Sequence, residues 1–328
     1  MAKVLGLGNA LVDIMTRIES DSLLQQLSLP KGSMQIVNAD FMKTVLDSTH
    51  HFPQTIAAGG SAANTIHGLA NLGVETSFIG KIGKDAYGTA FESDMVKNGI
   101  KPIMLKGASE SGRALALVST DSERTFAVYL GAAIELTAED ITPEMFDNFT
   151  HFHIEGYLVQ NHSLIKRAVE IAKSKGLVIS LDMASYNVVE ENREFLRELI
   201  TNYVNIVFAN EEEAKSFTGL EPEDAVEEFA KIADIAVVKM GHDGSIIKKG
   251  EVKERVGIID VNSIDTTGAG DLYASGFLYG LIKGLNLRQC GKIGAILSGH
   301  VIEVLGPKMD AHRWLKAKEY VDKIEKEL

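Results

Sequence analysis

The sequence predicts an α/β protein: a mostly parallel central sheet with helices on both faces, three layers in all, and a small separate β-sheet. Two patterns carry this. From residue 76 onward, strand-like runs at 76–81, 151–155, 177–182, 204–209 and 235–240 alternate with helical periodicity at 85–98, 162–175, 190–201 and 222–233, the alternation of parallel sheets. Segments 11–18, 33–37, 112–119 and 124–130 also read as strands, with Arg113, Leu115, Leu117 and Ser119 alternating against Ala114, Ala116 and Val118. They lack the helices that parallel neighbours need, so they belong to a second sheet able to act as a lid. No repeat, low-complexity stretch or linker interrupts the chain. The expectation is a single domain over residues 1–328, with a small β lid built from segments near 11–18, 33–37 and 112–130.

Composition narrows the function classes. The chain has 328 residues, 45% hydrophobic and 24% charged, with 33 Lys plus Arg against 45 Asp plus Glu, a formal charge of −12. That acidic excess disfavours broad contact with nucleic acid or an anionic membrane. A phosphate ligand would instead need local amides, a few placed cations and a divalent metal. Cys290 is the only cysteine, so an intrachain disulfide is excluded, and its ordinary role is that of a small core residue. The opening M-A-K-V-L-G-L-G-N is too short an apolar run for a signal peptide, and no segment approaches ~18 uninterrupted apolar residues. A cytoplasmic location is expected.

The first run, residues 3–8, suits a buried strand. Gly6 and Gly8 do not continue into a dinucleotide fingerprint, because the third glycine position is Leu11 and no helical pattern follows. Asn9 and Asp13, just beyond the strand, are either turn formers or groups for binding the hydroxyls of a polyol. In A-A-G-G-S-A-A-N-T, Gly59 and Gly60 precede a helix start and Asn64 lies in its first turn. These glycines either lend amides to a ligand or make an ordinary tight turn. Ligands of such sheets gather beyond the carboxyl ends of the strands. Those ends carry Asn9, Gly156 with Tyr157, Asp182, Asn210 with Glu213, and Lys239 with Gly241. No G-x-x-x-x-G-K-[ST] loop or H-E-x-x-H motif is present, and His151 and His153, two apart on one strand, read as structural.

The stretch D-T-T-G-A-G-D-L-Y-A-S-G-F-L-Y-G, residues 265–280, leads into a buried helix with Thr266 or Thr267 placed to cap it. Amides at Gly268, Ala269 and Gly270 would open toward an anion at the positive end of the helix dipole. Asp271 is either a first-turn acid favouring the dipole or a base acting on a nucleophile beside that anion.

D-T-T-G-A-G-D at 265–271 and G-G-S-A-A-N-T at 59–65 resemble the two signatures of the PfkB (ribokinase-like) family of carbohydrate and nucleoside kinases. G-N-A-L-V-D near the start, N-E-E-E at 210–213 and K-M-G-H-D-G at 239–244 extend the resemblance over essentially the whole chain, closest in look to adenosine kinases and bacterial sugar kinases. It implies a ribokinase-like fold and transfer of phosphate from ATP, with Mg2+, to a hydroxymethyl group of a sugar or ribonucleoside. Asp271 would be the base and Gly268, Ala269 and Gly270 the anion hole. Asp13, Gly60 and Asn64 would bind sugar hydroxyls, with Asn9 and Gly59 beside them. Asn210 and Glu213 would hold the hydrated magnesium, while Lys239, Gly241 and Gly244 would line the ATP site. Asp265 matches a position that in several members helps bind a monovalent cation such as K+, and Arg124 one that reaches the transferring phosphate. Tyr157 and Tyr186 fall near aromatic positions against a purine, although the neighbouring aromatic position is Leu158 here. Lid edges of this kind imply a monomer or a lid-mediated homodimer. The competing expectation is a non-catalytic nucleotide- or sugar-binding regulator retaining the fold; a dehydrogenase lacks its glycine fingerprint.

Overall fold

The computed structural model describes residues 2–121 and 123–327, and two sheets organise them. The chain opens with β1 (Lys3–Leu7), crosses into the small sheet with β2 (Leu11–Arg17), α1 (Ser22–Gln26), β3 (Met34–Ile36), α2 (Ala39–Thr49) and β4 (Gln54–Gly59), and returns through α3 (Ser61–Asn71) to β5 (Glu75–Ile82). Next come α4 (Ala86–Lys97) and β6 (Ile100–Lys106), then the small-sheet pair β7 (Gly112–Val118) and β8 (Arg124–Tyr129). Alternation follows: β9 (His151–Glu155), α5 (His162–Ser174), β10 (Val178–Asp182), α6 (Tyr186–Glu191), α7 (Arg193–Tyr203), β11 (Ile206–Asn210), α8 (Glu211–Thr218), α9 (Pro222–Ala230) and β12 (Ile235–Lys239). The hairpin β13 (Ser245–Lys249) and β14 (Val252–Val256) and the helices α10 (Ala269–Ile282), α11 (Leu287–Val301) and α12 (Ala311–Glu325) complete the fold.

The large sheet has the order β14-β13-β12-β11-β10-β9-β1-β5-β6 and the small one β3-β8-β7-β2-β4. From β12 to β6 every pairing in the large sheet is parallel, and only β12–β13 and β13–β14 are antiparallel. Both faces are buried, which is why its strands read as continuous apolar runs. Ile206, Phe208 and Val237 pack with Ile66, Phe91, Leu272, Phe277 and Ile293 on one side. Phe152, Ile154, Val207 and Val238 pack with Ile165, Leu196, Phe217 and Phe229 on the other. Parallel pairing brings the last residues of β9, β10, β11 and β12, namely Glu155, Asp182, Asn210 and Lys239, to one edge of the sheet, with Asn9 after β1.

The expected α/β architecture with its second sheet is present, and the four anticipated segments form that sheet together with β4. The residue range expected for the lid passes through Ser122, which, like Met1 and Leu328, lies outside the described residues. The sequence concealed β4 because it is an edge strand whose one large apolar side chain, Ile56, faces outward. The helix expected at 190–201 is two helices broken at Asn192, whose side chain donates to Val188 O at 2.9 Å. Also unanticipated were β6, the β13–β14 hairpin, α2, α11 and α12. Among the described residues no helix is long and apolar enough to cross a membrane.

α10 and α11 touch at Gly276, where an added β-carbon would lie 2.7 Å from Ile293 O and 2.8 Å from Gly294 N. Gly276→Ala is expected to destabilise the protein by about 1–3 kcal/mol through overpacking, although alanine is the better helix former by ~1 kcal/mol. Urea unfolding measures this; a stabilised variant would show that the helices separate freely.

Candidate active site

The N-terminus of α10 is set by its backbone. Gly268 is the N-cap in the left-handed region at φ +76°, with no side-chain cap, and a β-carbon on it would lie 2.6 Å from Pro307 Cβ. The expected cap from Thr266 or Thr267 is therefore absent, because the left-handed turn at Gly268 already starts the helix. The preceding loop is tied down by Asp265, whose Oδ1 accepts from Thr267 N at 2.6 Å and whose Oδ2 accepts from Gly306 N at 2.8 Å. Ala269 N donates to Thr266 O at 3.2 Å, while the amides of Gly268, Gly270 and Asp271 find no acceptor among the described residues. Free amides at a helix start are suited to an anion.

Asp271 sits where α10 meets the start of α3. Its Oδ1 accepts from Ser61 Oγ at 2.7 Å, its Oδ2 from Asn64 Nδ2 at 3.0 Å, and its backbone O from Thr65 Oγ1 at 3.2 Å. Burial raises its pKa to about 6, against the two hydrogen bonds, which lower it. Gly60 precedes α3 at φ +98°, and a β-carbon there would overlap Asn9 O. A β-carbon on Gly59 would overlap the Asp13 carboxylate. The Asp13 carboxylate has no hydrogen-bond partner among the described residues, and its pKa rises to about 7, chiefly through burial, with Lys308 lowering it and Asp271 raising it. Lys308, unmarked by any motif, donates to Asp94 Oδ2 at 3.1 Å.

Asn9 lines the site, but its N–H groups are engaged. Glu155 Oε1 accepts from Asn9 N at 2.9 Å and Asn9 Nδ2 at 2.7 Å, and Glu155 Oε2 accepts from Ala62 N at 3.0 Å. Glu155 thus braces the loop after β1 against the start of α3, and burial lifts its pKa to about 7. Sequence reasoning passed over Glu155 and Ser61. The signals were present: a lone acid closing the run H-F-H-I-E, and a hydroxyl inside the G-G-S-A-A-N-T stretch.

Two cavities meet near Asp271, which with Asn64 lines the first of them only. One, of about 830 Å³, is lined by Asp182, Asn210, Glu213, Lys239, Gly241, Gly244, Gly270 and Asp271, with an apolar wall of Ile258, Ile259, Val261, Ala295 and Ile302. Asn210 and Glu213 form the capping box of α8: Asn210 Oδ1 accepts from Glu213 N, Glu213 Oε2 from Asn210 N, and Asn210 Nδ2 donates to Glu213 Oε1 at 2.7 Å. Lys239 Nζ donates to Asp182 Oδ2 at 2.7 Å. The other cavity, of about 1130 Å³, is lined by Asn9, Leu11, Met34, Ile36, Arg124, Phe126, Leu136, Tyr157, Leu158 and Asn161. Gly60, Ser61, Tyr157 and Thr266 border both.

Tyr157 is therefore at the junction, but Tyr186 lines neither cavity and is half-exposed, whereas its neighbours Ser185 and Asn187 do line the second. Arg124 and Asp265 are placed against one another: Arg124 Nη1 lies 2.5 Å from Asp265 Oδ1. Asp265 thus carries two backbone amides and a guanidinium.

Three comparisons bear on this arrangement. The model of the pfkB family carbohydrate kinases matches residues 36–312. A probable sugar kinase of Rhizobium etli CFN 42 superposes with a TM-score of 0.87 at 34% identity, over 97% of this chain and 98% of that one. The adenosine kinase of Sinorhizobium meliloti gives 0.86 at 34% identity, over 97% and 99%. Adenosine kinase 2 of Arabidopsis thaliana is 25% identical over 327 residues, 92% of this chain and 94% of that protein.

A buried acid with a raised pKa destabilises the fold when it ionises. Asp271 has a pKa of about 6 in the folded protein against an ordinary 3.8: the folded state holds the proton longer, so stability is lost as pH rises between those values. Buried neutral His67 and His153, with pKa values lowered to about 3 and 4, contribute the opposite slope, so a variant isolates the effect. Asp271→Asn is expected to gain stability over the native protein between pH 4 and 6 and hold the gain above. Asn64, whose Oδ1 is unpartnered, can turn its amide to accept. At pH 8 the gain should be roughly 2–4 °C in Tm, the shift for ~1 kcal/mol; an unchanged or lower Tm would contradict it.

Proposed function

The chain belongs to the pfkB family of carbohydrate kinases, and on that premise we propose that it transfers the γ-phosphoryl group of ATP to the hydroxymethyl group of a ribonucleoside. That it is a kinase acting on a sugar or nucleoside follows from the family and from relatives so named. The nucleoside reading rests on one observation. The acceptor cavity joins polar groups near Asp271 to a wall of Leu11, Met34, Ile36, Phe126 and Leu158. An apolar wall beyond a polar floor suits a heterocyclic base attached to a ribose.

Asp271 takes the proton of the hydroxymethyl group, whose oxygen then attacks the γ-phosphorus as the bond to ADP breaks. Asp13 and Asn64 hold the ring hydroxyls, and the first-turn amides of α10 receive the developing charge. Asn64 serves both the substrate and the base, since its Nδ2 already holds Asp271. The small sheet acts as the lid that excludes water from this step. Among the described residues no three His, Cys, Asp or Glu side chains converge as a metal cage. The oxygens of Asn210 and Glu213 are hard donors, and being bonded to each other they fit the waters of a magnesium ion better than the ion itself. Magnesium on the phosphates would supply charge neutralisation and orientation.

Asp271→Asn should lower kcat by about 10²- to 10⁴-fold, the effect of losing a positioned base, while leaving KM for ATP and acceptor within a few-fold. In the native enzyme kcat/KM should fall below pH 6 as Asp271 takes up its proton. Near-normal turnover in the variant would remove Asp271 from the role. Adenosine, inosine, ribose and fructose, assayed for ADP release with Mg2+ and with or without K+, test the acceptor. Faster turnover of a free sugar than of any nucleoside would replace this reading with a sugar kinase, and Asp13→Ala should raise KM for the acceptor far more than for ATP.

A further inference from the structure

Gly270 has no side chain, and the space a β-carbon would take is occupied from the far side of the cavity: the built position lies 3.0 Å from Lys239 Nζ. An ammonium group thus rests against the second residue of α10, beside the amides of Gly270 and Asp271 that find no acceptor among the described residues. It is delivered there by two strand ends. Lys239 closes β12, Asp182 closes β10, and β11 lies between them. The side chain of Lys239 reaches across to donate to Asp182 Oδ2 at 2.7 Å. An ammonium has three donors, and Asp182 is its one hydrogen-bond partner among the described residues.

The surrounding charges show what Lys239 faces. Asp182, Glu213 and Asp271 all act on it electrostatically, and with Gly270 they line the same cavity. Three acids would repel an incoming polyphosphate, and Arg124, the cation on the other side of Asp271, is bound to Asp265. Lys239 is the positive side chain on the nucleotide side at the point where the α10 amides open. If Lys239 served only to neutralise Asp182, nothing would require its ammonium to lie against Gly270.

The geometry points to Lys239 as a catalytic residue whose ammonium, oriented by Asp182, contacts an oxygen of the transferring phosphoryl group together with the first-turn amides of α10. This rests on the kinase reading above. The ammonium neutralises charge that shifts onto the phosphoryl oxygens as the bond to ADP breaks, in a site where water cannot screen it. Asp182 is a positioning residue: it fixes where the charge sits and touches no reacting atom.

Lys239→Met should lower kcat by about 10²- to 10³-fold, the scale for loss of one preorganised donor, with KM for the acceptor unchanged. The distinguishing readout is binding by calorimetry. The variant should lose about tenfold in affinity for a non-hydrolysable ATP analogue and less than about threefold for ADP, because the contact is to the terminal phosphoryl group. Asp182→Asn should shift the same ratio in the same direction by a smaller amount. Lys239→Arg keeps the charge and its partner, so it remains testable if the methionine variant does not fold, and it should restore most of the preference for the ATP analogue. Equal losses for analogue and ADP, or kcat within threefold of the native enzyme, would overturn the assignment to Lys239. Failure of the kinase reading would look different: the native protein would bind neither nucleotide and turn over no acceptor.

Discussion

The hydrogen bonds that Asp271 accepts from Ser61 and Asn64 join the beginnings of two helices that are 208 residues apart in numbering, from Ala269 back to Ser61. Everything else at the site is arranged around that junction. α3 cannot reach it unless Gly60 adopts a positive φ against Asn9 O, and α10 cannot reach it unless Gly268 turns left-handed over Pro307. Glu155 completes the frame by holding Asn9 and Ala62 from below. The glycines are therefore geometric requirements of one contact, and the openness they leave to a ligand is a second use of the same missing side chains.

Gathering Asp13, Glu155, Asp182, Glu213 and Asp271 at one sheet edge opposes folding, since burial raises the pKa of four of them to about 6 or 7. Lys239 and Lys308 offset part of that cost, and hydrogen bonds offset more. The remainder is carried by the two apolar layers packed against the sheet, whose large side chains such as Phe78, Phe152, Phe208 and Phe277 are fully buried. Buried acids with perturbed pKa values, gathered in a cleft, mark a candidate functional site.

Much of this was legible in the sequence because the decisive signals are local. The two glycine-rich stretches, Asp271 and the alternation of strand and helix all lie within windows of a dozen residues, and the structure brings Asn64, Gly60 and Asp271 together as those windows suggest. Pairings made only by folding were not legible. Arg124 and Asp265 each resembled a ligand-binding position, and nothing local shows that they neutralise one another. Glu155 drew no notice until parallel pairing put its strand end beside that of Asp182, which the sequence had already set at the sheet edge. The phase of α6 was not legible either: Ser185 and Asn187 line the cavity, whereas Tyr186 between them is half-exposed. The strand β4 was hidden because an exposed edge needs no apolar alternation.

The backbone contact between Gly276 of α10 and Ile293 and Gly294 of α11 has a mechanical meaning. A helix seated through side chains can slide by exchanging rotamers, whereas one seated backbone to backbone has no soft layer in which to slip. α10 is thus fixed against α11, and Asp271 and the unpaired first-turn amides are carried on a helix that has no soft layer in which to slip. Asp265, just before α10, is tied to the small sheet by Arg124, so that sheet is registered against the same fixed helix.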